Sequence, residues 1–154
     1  MKIKVSINRK KLELTIAPND ILLDVLRREG YHGVKRGCGQ GDCGACAVLL
    51  NGIPANSCLI FGAHCDGLEI TTIEGIADTG KLHPLQKSFL DHGASQCGFC
   101  TPGMLISATA LLNRKPKPTE AEIRDALSGN LCRCTGYMKP LEAIKATTKT
   151  RKKT

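Results

Sequence analysis

Most of the chemistry this sequence offers lies in ten residues. Gly37 to Cys46 reads GCGQGDCGAC, and two motifs overlap in it. Cys38, Cys43 and Cys46 are spaced C-x4-C-x2-C, three soft thiolates on one loop at the spacing that holds a 2Fe–2S cluster. Gly39, Gly41 and Gly44 spell GxGxxG, the glycine spacing of a dinucleotide-binding turn. The nucleotide reading needs a strand before the loop and a helix after it. Here a helical pattern precedes the loop and the strand-like Ala47 to Leu50 follows, so the glycines are assigned to the cysteines. At 37, 39, 41 and 44 they allow positive φ and let backbone N–H groups approach sulfur.

A fourth thiolate is expected from Cys58, with eleven residues between it and Cys46, on a neighbouring strand. A second group follows as Cys97, Cys100, Cys132 and Cys134, in the order C-x2-C, thirty-one residues, C-x-C. Each pair falls at the start of a helix, where the dipole and free N–H groups favour an anionic centre. Structural zinc also uses C-x2-C pairs, but C-x-C is an unusual second half for such a site. That leaves Cys65, read as a small buried hydrophobe. The nine cysteines are odd in number and no secretory signal precedes them, so metal or redox work is expected rather than disulfides. His32, His64, His83 and His92 show no mutual ligand spacing and are read as surface or packing residues.

The elements that must position these groups change character along the chain. Ile3, Val5 and Ile7, then Leu12, Leu14 and Ile16, alternate about NRKK as in a hairpin. DILLDVLRREG predicts a helix capped by Asn19 or Asp20 and stopped by Gly30. AVLLNGIPANSCLI predicts two short strands about an Asn51–Gly52 turn, and GLEITTIEG one more. Together these suggest a small mixed sheet with one helix across it.

From about residue 80 helices take over. Pro84 opens one and Gly93 ends it; the next runs from Pro102 towards Pro116. Thr119 and Glu122 stand in capping-box spacing before a third, and YMKPLEAIKA predicts a fourth. The two helical hairpins echo each other, with QCGFCTPGM at one turn and NLCRCTGYM at the other. The echo implies a pseudo-twofold bundle whose turns converge on one point. Neither half is large enough to bury much core alone, so the clusters should contribute to folding as well as to redox work.

Composition narrows the class further. Of the 154 residues 42% are hydrophobic but only 3% aromatic, so any core is aliphatic. No apolar run approaches the roughly 20 residues of a membrane span, and the N-terminus lacks a signal peptide's apolar stretch. A cytoplasmic protein is expected. The formal charge of +8 lies partly in the C-terminal KATTKTRKKT, read as a solvated tail. With two Tyr and three Phe there is little for nucleic-acid bases to stack on.

GCGQGDCGAC with Cys58, then QCGFCTPGM, then GNLCRCTGY, resembles the iron–sulfur subunit of the molybdenum hydroxylases, the xanthine dehydrogenase and aldehyde oxidoreductase family. The resemblance runs from Lys2 to about Ala146. It implies an α+β chain: an N-terminal β-grasp, ferredoxin-like 2Fe–2S domain over 1–76, an all-α four-helix 2Fe–2S-binding domain over 77–148, and a basic, frayed tail over 149–154. It implies two 2Fe–2S clusters, one on Cys38, Cys43, Cys46 and Cys58 and one on Cys97, Cys100, Cys132 and Cys134.

It also implies that electrons pass from a molybdenum–pterin centre in a large subunit through the second cluster, then the first, to FAD in a medium subunit. Relatives without a flavin subunit read CGYCQSG and CRCGTY at the two turns; CGFCTPG and CRCTGY here are similar to the flavin-containing, three-subunit type. Gln96 and Cys134 occupy the positions placed beside the pterin. The resemblance implies an oxidoreductase subunit with no turnover of its own, purines as the default substrate, and a dimer of heterotrimers binding neither nucleic acid nor membrane. The competing class is a stand-alone electron carrier or regulatory iron–sulfur protein, which would leave the C-x-C half unexplained.

Overall fold

The computed structural model describes residues 1–77 and 80–150, without the side chains of 149 and 150. Its first half is a five-stranded mixed sheet in the order β2-β1-β5-β3-β4. β1 (Lys2–Ile7) and β2 (Lys10–Thr15) form the expected hairpin, and their turn is only two residues long. Asn8 and Arg9 both take positive φ there, matching the right-handed twist of the strands. β3 (Ala47–Leu50) and β4 (Ile53–Asn56) turn through Asn51 and Gly52 in the same way. β5 (Glu69–Thr71) runs parallel to β1 and antiparallel to β3, which makes the sheet mixed.

Helix α1 (Leu22–Arg28) crosses this sheet. Leu22, Leu23, Val25 and Leu26 are buried against Ile3, Val5, Ile7, Val48 and Ile70. The expected cap is different: Ile21 is the N-cap and contributes no side-chain bond. Asp20 instead accepts from the Ala17 N–H and pairs with Arg28 at 2.8 Å, so its carboxylate is occupied one residue too early to cap the helix.

The second half is helical, with α2 (Pro84–Asp91), α3 (Thr101–Arg114), α4 (Glu120–Leu127) and α5 (Met138–Thr150). Thr119 and Glu122 form the predicted capping box on α4. His83, read as a surface or packing residue, caps α2: its ring accepts from Leu85 while Gln86 reaches back to its N–H. Helices pair mainly across the two hairpins, α2 on α5 and α3 on α4. Leu85, Phe89, Met104, Leu112, Ile123 and Ile144 form their core. A small third cluster, Ala47 and Leu49 of β3 with Ile106 of α3, joins the sheet to the bundle. Residues 149–150 of the expected tail belong to α5, and 151–154 lie outside the described residues. Among the described residues no helix is long and apolar enough to cross a membrane.

Candidate metal centres

The glycine-rich loop leaves α1 and enters β3, and its α1 end is tied down. Arg27 of α1 donates to the carbonyls of His32 and Val34, and Arg36 pairs with Asp24. Within the loop, Gly39, Gly41 and Gly44 take positive φ as expected. Gly37 does not; it is needed for space, because a Cβ there would stand 2.6 Å from Cys43 Sγ. The freed backbone faces sulfur. The N–H groups of Gln40 and Asp42 donate to Cys38 Sγ at 3.5 and 3.3 Å, and that of Cys38 to Cys43 Sγ at 3.3 Å. The Gln40 and Cys43 N–H groups lead in lowering the Cys38 thiol to about 6.

Cys58 lies on a short 3-10 turn (Ser57–Leu59) just after β4, not on a strand. Asn56 and Ser57, which the cysteine spacing does not point to, bind that turn to the loop. Asn56 Nδ2 donates to the Gly41 carbonyl at 2.9 Å, and Ser57 Oγ to the Cys46 carbonyl at 2.7 Å. Burial pushes the Cys58 thiol up to about 11, with the Cys46 thiol beside it adding to the shift. Leu59 covers the loop so closely that a Cβ on Gly41 would meet it at 2.5 Å.

The second group forms where the two helical turns meet. Cys134 Sγ is 3.5 Å from Cys97 Sγ, although thirty-six residues separate them in sequence. Cys100 is the N-cap of α3, and burial pushes its thiol up to about 12, with Cys132 beside it adding to the effect. The C-x-C pair sits less directly at a helix start than expected, because Thr135, Gly136 and Tyr137 intervene before α5.

Those intervening residues organise the turn. Tyr137, itself at positive φ, accepts from the Cys132 N–H at 2.8 Å and donates to the Asn130 carbonyl at 3.1 Å. Thr135 Oγ1 lies 3.0 Å from Cys132 Sγ. Burial raises the Cys132 thiol, but the Thr135 hydroxyl and N–H, with the Cys134 N–H and the Cys100 thiol, together hold it below its ordinary value. Gln96 is exposed beside Cys97, and Cys134 is exposed as well. Cys65 is fully buried in the sheet's core, in the same apolar cluster as Cys46 and Cys58, and its thiol lies 3.9 Å from the Phe61 carbonyl.

Among the described residues no three His, Cys, Asp or Glu side chains gather about a single metal-ion position. The thiols gather as pairs: Cys38 with Cys43, Cys46 with Cys58, Cys97 with Cys134, and Cys100 with Cys132. Two pairs close enough to feel each other's charge, with N–H groups aimed at sulfur, fit a binuclear cluster in which each iron takes two thiolates. The two groups touch through the backbone. The Leu131 N–H donates to the Cys43 carbonyl at 3.0 Å, and Asn130 Nδ2 to the Gly44 carbonyl at 3.2 Å. Glycine at 103 makes the crossing possible, since a Cβ there would run into the Gly44 carbonyl.

Comparison with known proteins accords with this arrangement. Residues 5–63 match the model of a 2Fe-2S iron-sulfur cluster binding domain, and residues 72–145 that of a [2Fe-2S] binding domain. The nicotinate dehydrogenase small FeS subunit of Eubacterium barkeri is 47% identical over 144 residues, 93% of this chain and 92% of that one. The xanthine dehydrogenase iron-sulfur-binding subunit of Escherichia coli O157:H7 is 47% identical over 137 residues, 88% and 86% of the two chains. Among solved structures, a chain of quinoline 2-oxidoreductase from Pseudomonas putida 86 superposes with a TM-score of 0.94 at 44% identity, covering 97% of this chain and 94% of that one.

Proposed function

The chain belongs to the 2Fe–2S iron–sulfur subunits of the molybdenum-hydroxylase-type dehydrogenases, and from that premise we propose that it conducts electrons between two partner subunits through two clusters. Cys38, Cys43, Cys46 and Cys58 hold one cluster; Cys97, Cys100, Cys132 and Cys134 hold the other. The clusters supply one-electron acceptance and release. The chain's own residues position the sulfurs, aim N–H and O–H donors at them and fix the spacing of the two groups. The observation that carries the reading is the contact between the groups: the Cys43 carbonyl receives the N–H of Leu131, whose next residue is Cys132. A path of covalent bonds broken by one hydrogen bond therefore joins the two groups.

In this reading the domains span 1–76 and 77–148. A large subunit with a molybdenum–pterin centre delivers electrons at the exposed Gln96 and Cys134, and a medium subunit with FAD withdraws them beyond the glycine-rich loop. The assembly is a dimer of heterotrimers working in the cytoplasm. Nicotinate, xanthine and quinoline in the relatives' names favour a nitrogen heterocycle, purine or pyridine-like, as the large subunit's substrate.

Purification from native cells tests the assembly: the chain should emerge in a brown complex several times its own mass. In that complex Gln96→Ala should slow reduction of the helical-half cluster by substrate, followed by rapid-freeze EPR, with both clusters intact and reoxidation little changed. Recovery as a small brown protein alone would favour the stand-alone carrier. Unchanged substrate-driven reduction in the molybdenum-replete variant would remove Gln96 from the path.

A further inference from the structure

The sequence echo places a threonine directly after the last cysteine of each helical turn, Thr101 after Cys100 and Thr135 after Cys134. The structure gives the two different work. The Thr101 hydroxyl donates to Ser95 Oγ at 3.0 Å. The Thr135 hydroxyl faces Cys132 Sγ at 3.0 Å, and the Thr135 N–H donates to the same sulfur at 3.4 Å. Its orientation is settled from behind. The Tyr137 N–H donates to Thr135 Oγ1 at 3.2 Å, filling an acceptor position and leaving the hydroxyl proton for sulfur. A thiolate bound to iron has no proton to give, so the hydroxyl is the donor there.

We propose that Thr135 sets the reduction potential of the cluster held by Cys97, Cys100, Cys132 and Cys134, raising it by hydrogen-bonding to the Cys132 sulfur. The proposal rests on the reading of Cys132 as a ligand. One electron enters on reduction, no bond is made or broken, and the hydroxyl keeps its proton. The added negative charge is partly carried by the ligand sulfurs, and a donor aimed at one of them stabilises the reduced state more than the oxidised one. Tyr137 acts one step further back, holding the Cys132 N–H and the Asn130 carbonyl so that the turn keeps this geometry. The helical-half cluster thus owes part of its electron affinity to one replaceable side chain.

The test is an EPR-monitored redox titration of the full chain with both clusters assembled, dithionite as reductant, and both midpoints read in one sample. Thr135→Val keeps the shape and removes the donor. It should shift the equilibrium for sharing an electron between the clusters about tenfold toward the N-terminal one, or about 59 mV in the helical-half midpoint. Thr135→Ser should restore the midpoint to within about twofold in that equilibrium. Thr101→Val, one residue from a proposed ligand but not aimed at sulfur, should leave it in place. An unchanged midpoint in Thr135→Val, or equal shifts in Thr135→Val and Thr101→Val, would overturn the proposal. Should Thr135→Val fail to assemble the cluster, proton ENDOR on the unmodified chain decides. An exchangeable coupling that persists in Thr135→Ser and vanishes in Thr135→Ala supports the bond, and an unchanged spectrum in Thr135→Ala refutes it. A wild-type chain showing no second cluster would refute the ligand assignment itself, a separate failure.

Discussion

The N-terminal loop and the turn at Cys132 present donors to sulfur by different means. In the loop they are backbone N–H groups of Cys38, Gln40 and Asp42, freed by the positive φ of neighbouring glycines. At Cys132 a side-chain hydroxyl shares the task with backbone N–H groups, and a tyrosine hydroxyl holds the turn. A backbone donor survives most substitutions, provided the glycines remain. A side-chain donor is open to change by a single replacement. The first site is therefore rigidly specified and the second adjustable, with both on one small chain.

The bluntest way to break the comparison is to remove a sulfur from each side. Cys58→Ser and Cys132→Ser should each lose about two of roughly four irons per chain and one of the two EPR signals, leaving the other signal intact. Cys65→Ser should keep both signals, because the buried Cys65 thiol faces the Phe61 carbonyl and joins none of the thiol pairs. A Cys65→Ser chain lacking one signal would reverse the assignment of Cys58.

A subtler change should separate backbone from side-chain control. Gly37→Ala places a Cβ 2.6 Å from Cys43 Sγ and should distort or abolish the N-terminal signal while sparing the helical one. Its mirror is Tyr137→Phe, which leaves the Cys132 N–H and the Asn130 carbonyl without their shared partner. That should cost about 1–3 kcal/mol, read as a lower denaturant midpoint, with only the helical-half signal broadened. If both variants disturb both signals equally, the two sites are one cooperative unit and the comparison fails.

These positions differ in how far the sequence announces them. The strands about Asn51–Gly52 and the capping box at Thr119 and Glu122 are legible, because each depends on residues close in sequence. Gly37 was legible as a glycine of the loop but not for its reason, since crowding by Cys43 Sγ exists only once the loop has folded. The start of α1 is a related case: Asp20 looked like a cap because nothing local reveals Arg28 and the Ala17 N–H competing for its carboxylate. Thr135 and Thr101 are indistinguishable in the echo, and only the packing around each hydroxyl separates them. Asn56 and Ser57 were hidden because their partners, Gly41 and Cys46, lie across a hairpin.

The smallest expected effect concerns acid. Lys115, with the Thr119 N–H and hydroxyl, holds the Glu122 carboxyl down to about 2, below its usual value of about 4.5. A depressed folded pKa gives stability that is fully present above the unfolded value and is lost as pH falls through the folded one. Helical circular dichroism should therefore decline between about pH 4.5 and 2, and Glu122→Gln should flatten that part of the profile. The sheet half has no part in this box, so the N-terminal cluster's EPR signal should be little changed by Glu122→Gln.

The most direct measurement is metal and sulfide analysis of the purified chain together with EPR after reduction. Two 2Fe–2S clusters predict about four iron and four acid-labile sulfides per chain, negligible zinc, and two distinct signals. One zinc or more per chain with no visible absorbance, or a single signal accounting for all the iron, would contradict the assignment of these eight cysteines to two clusters.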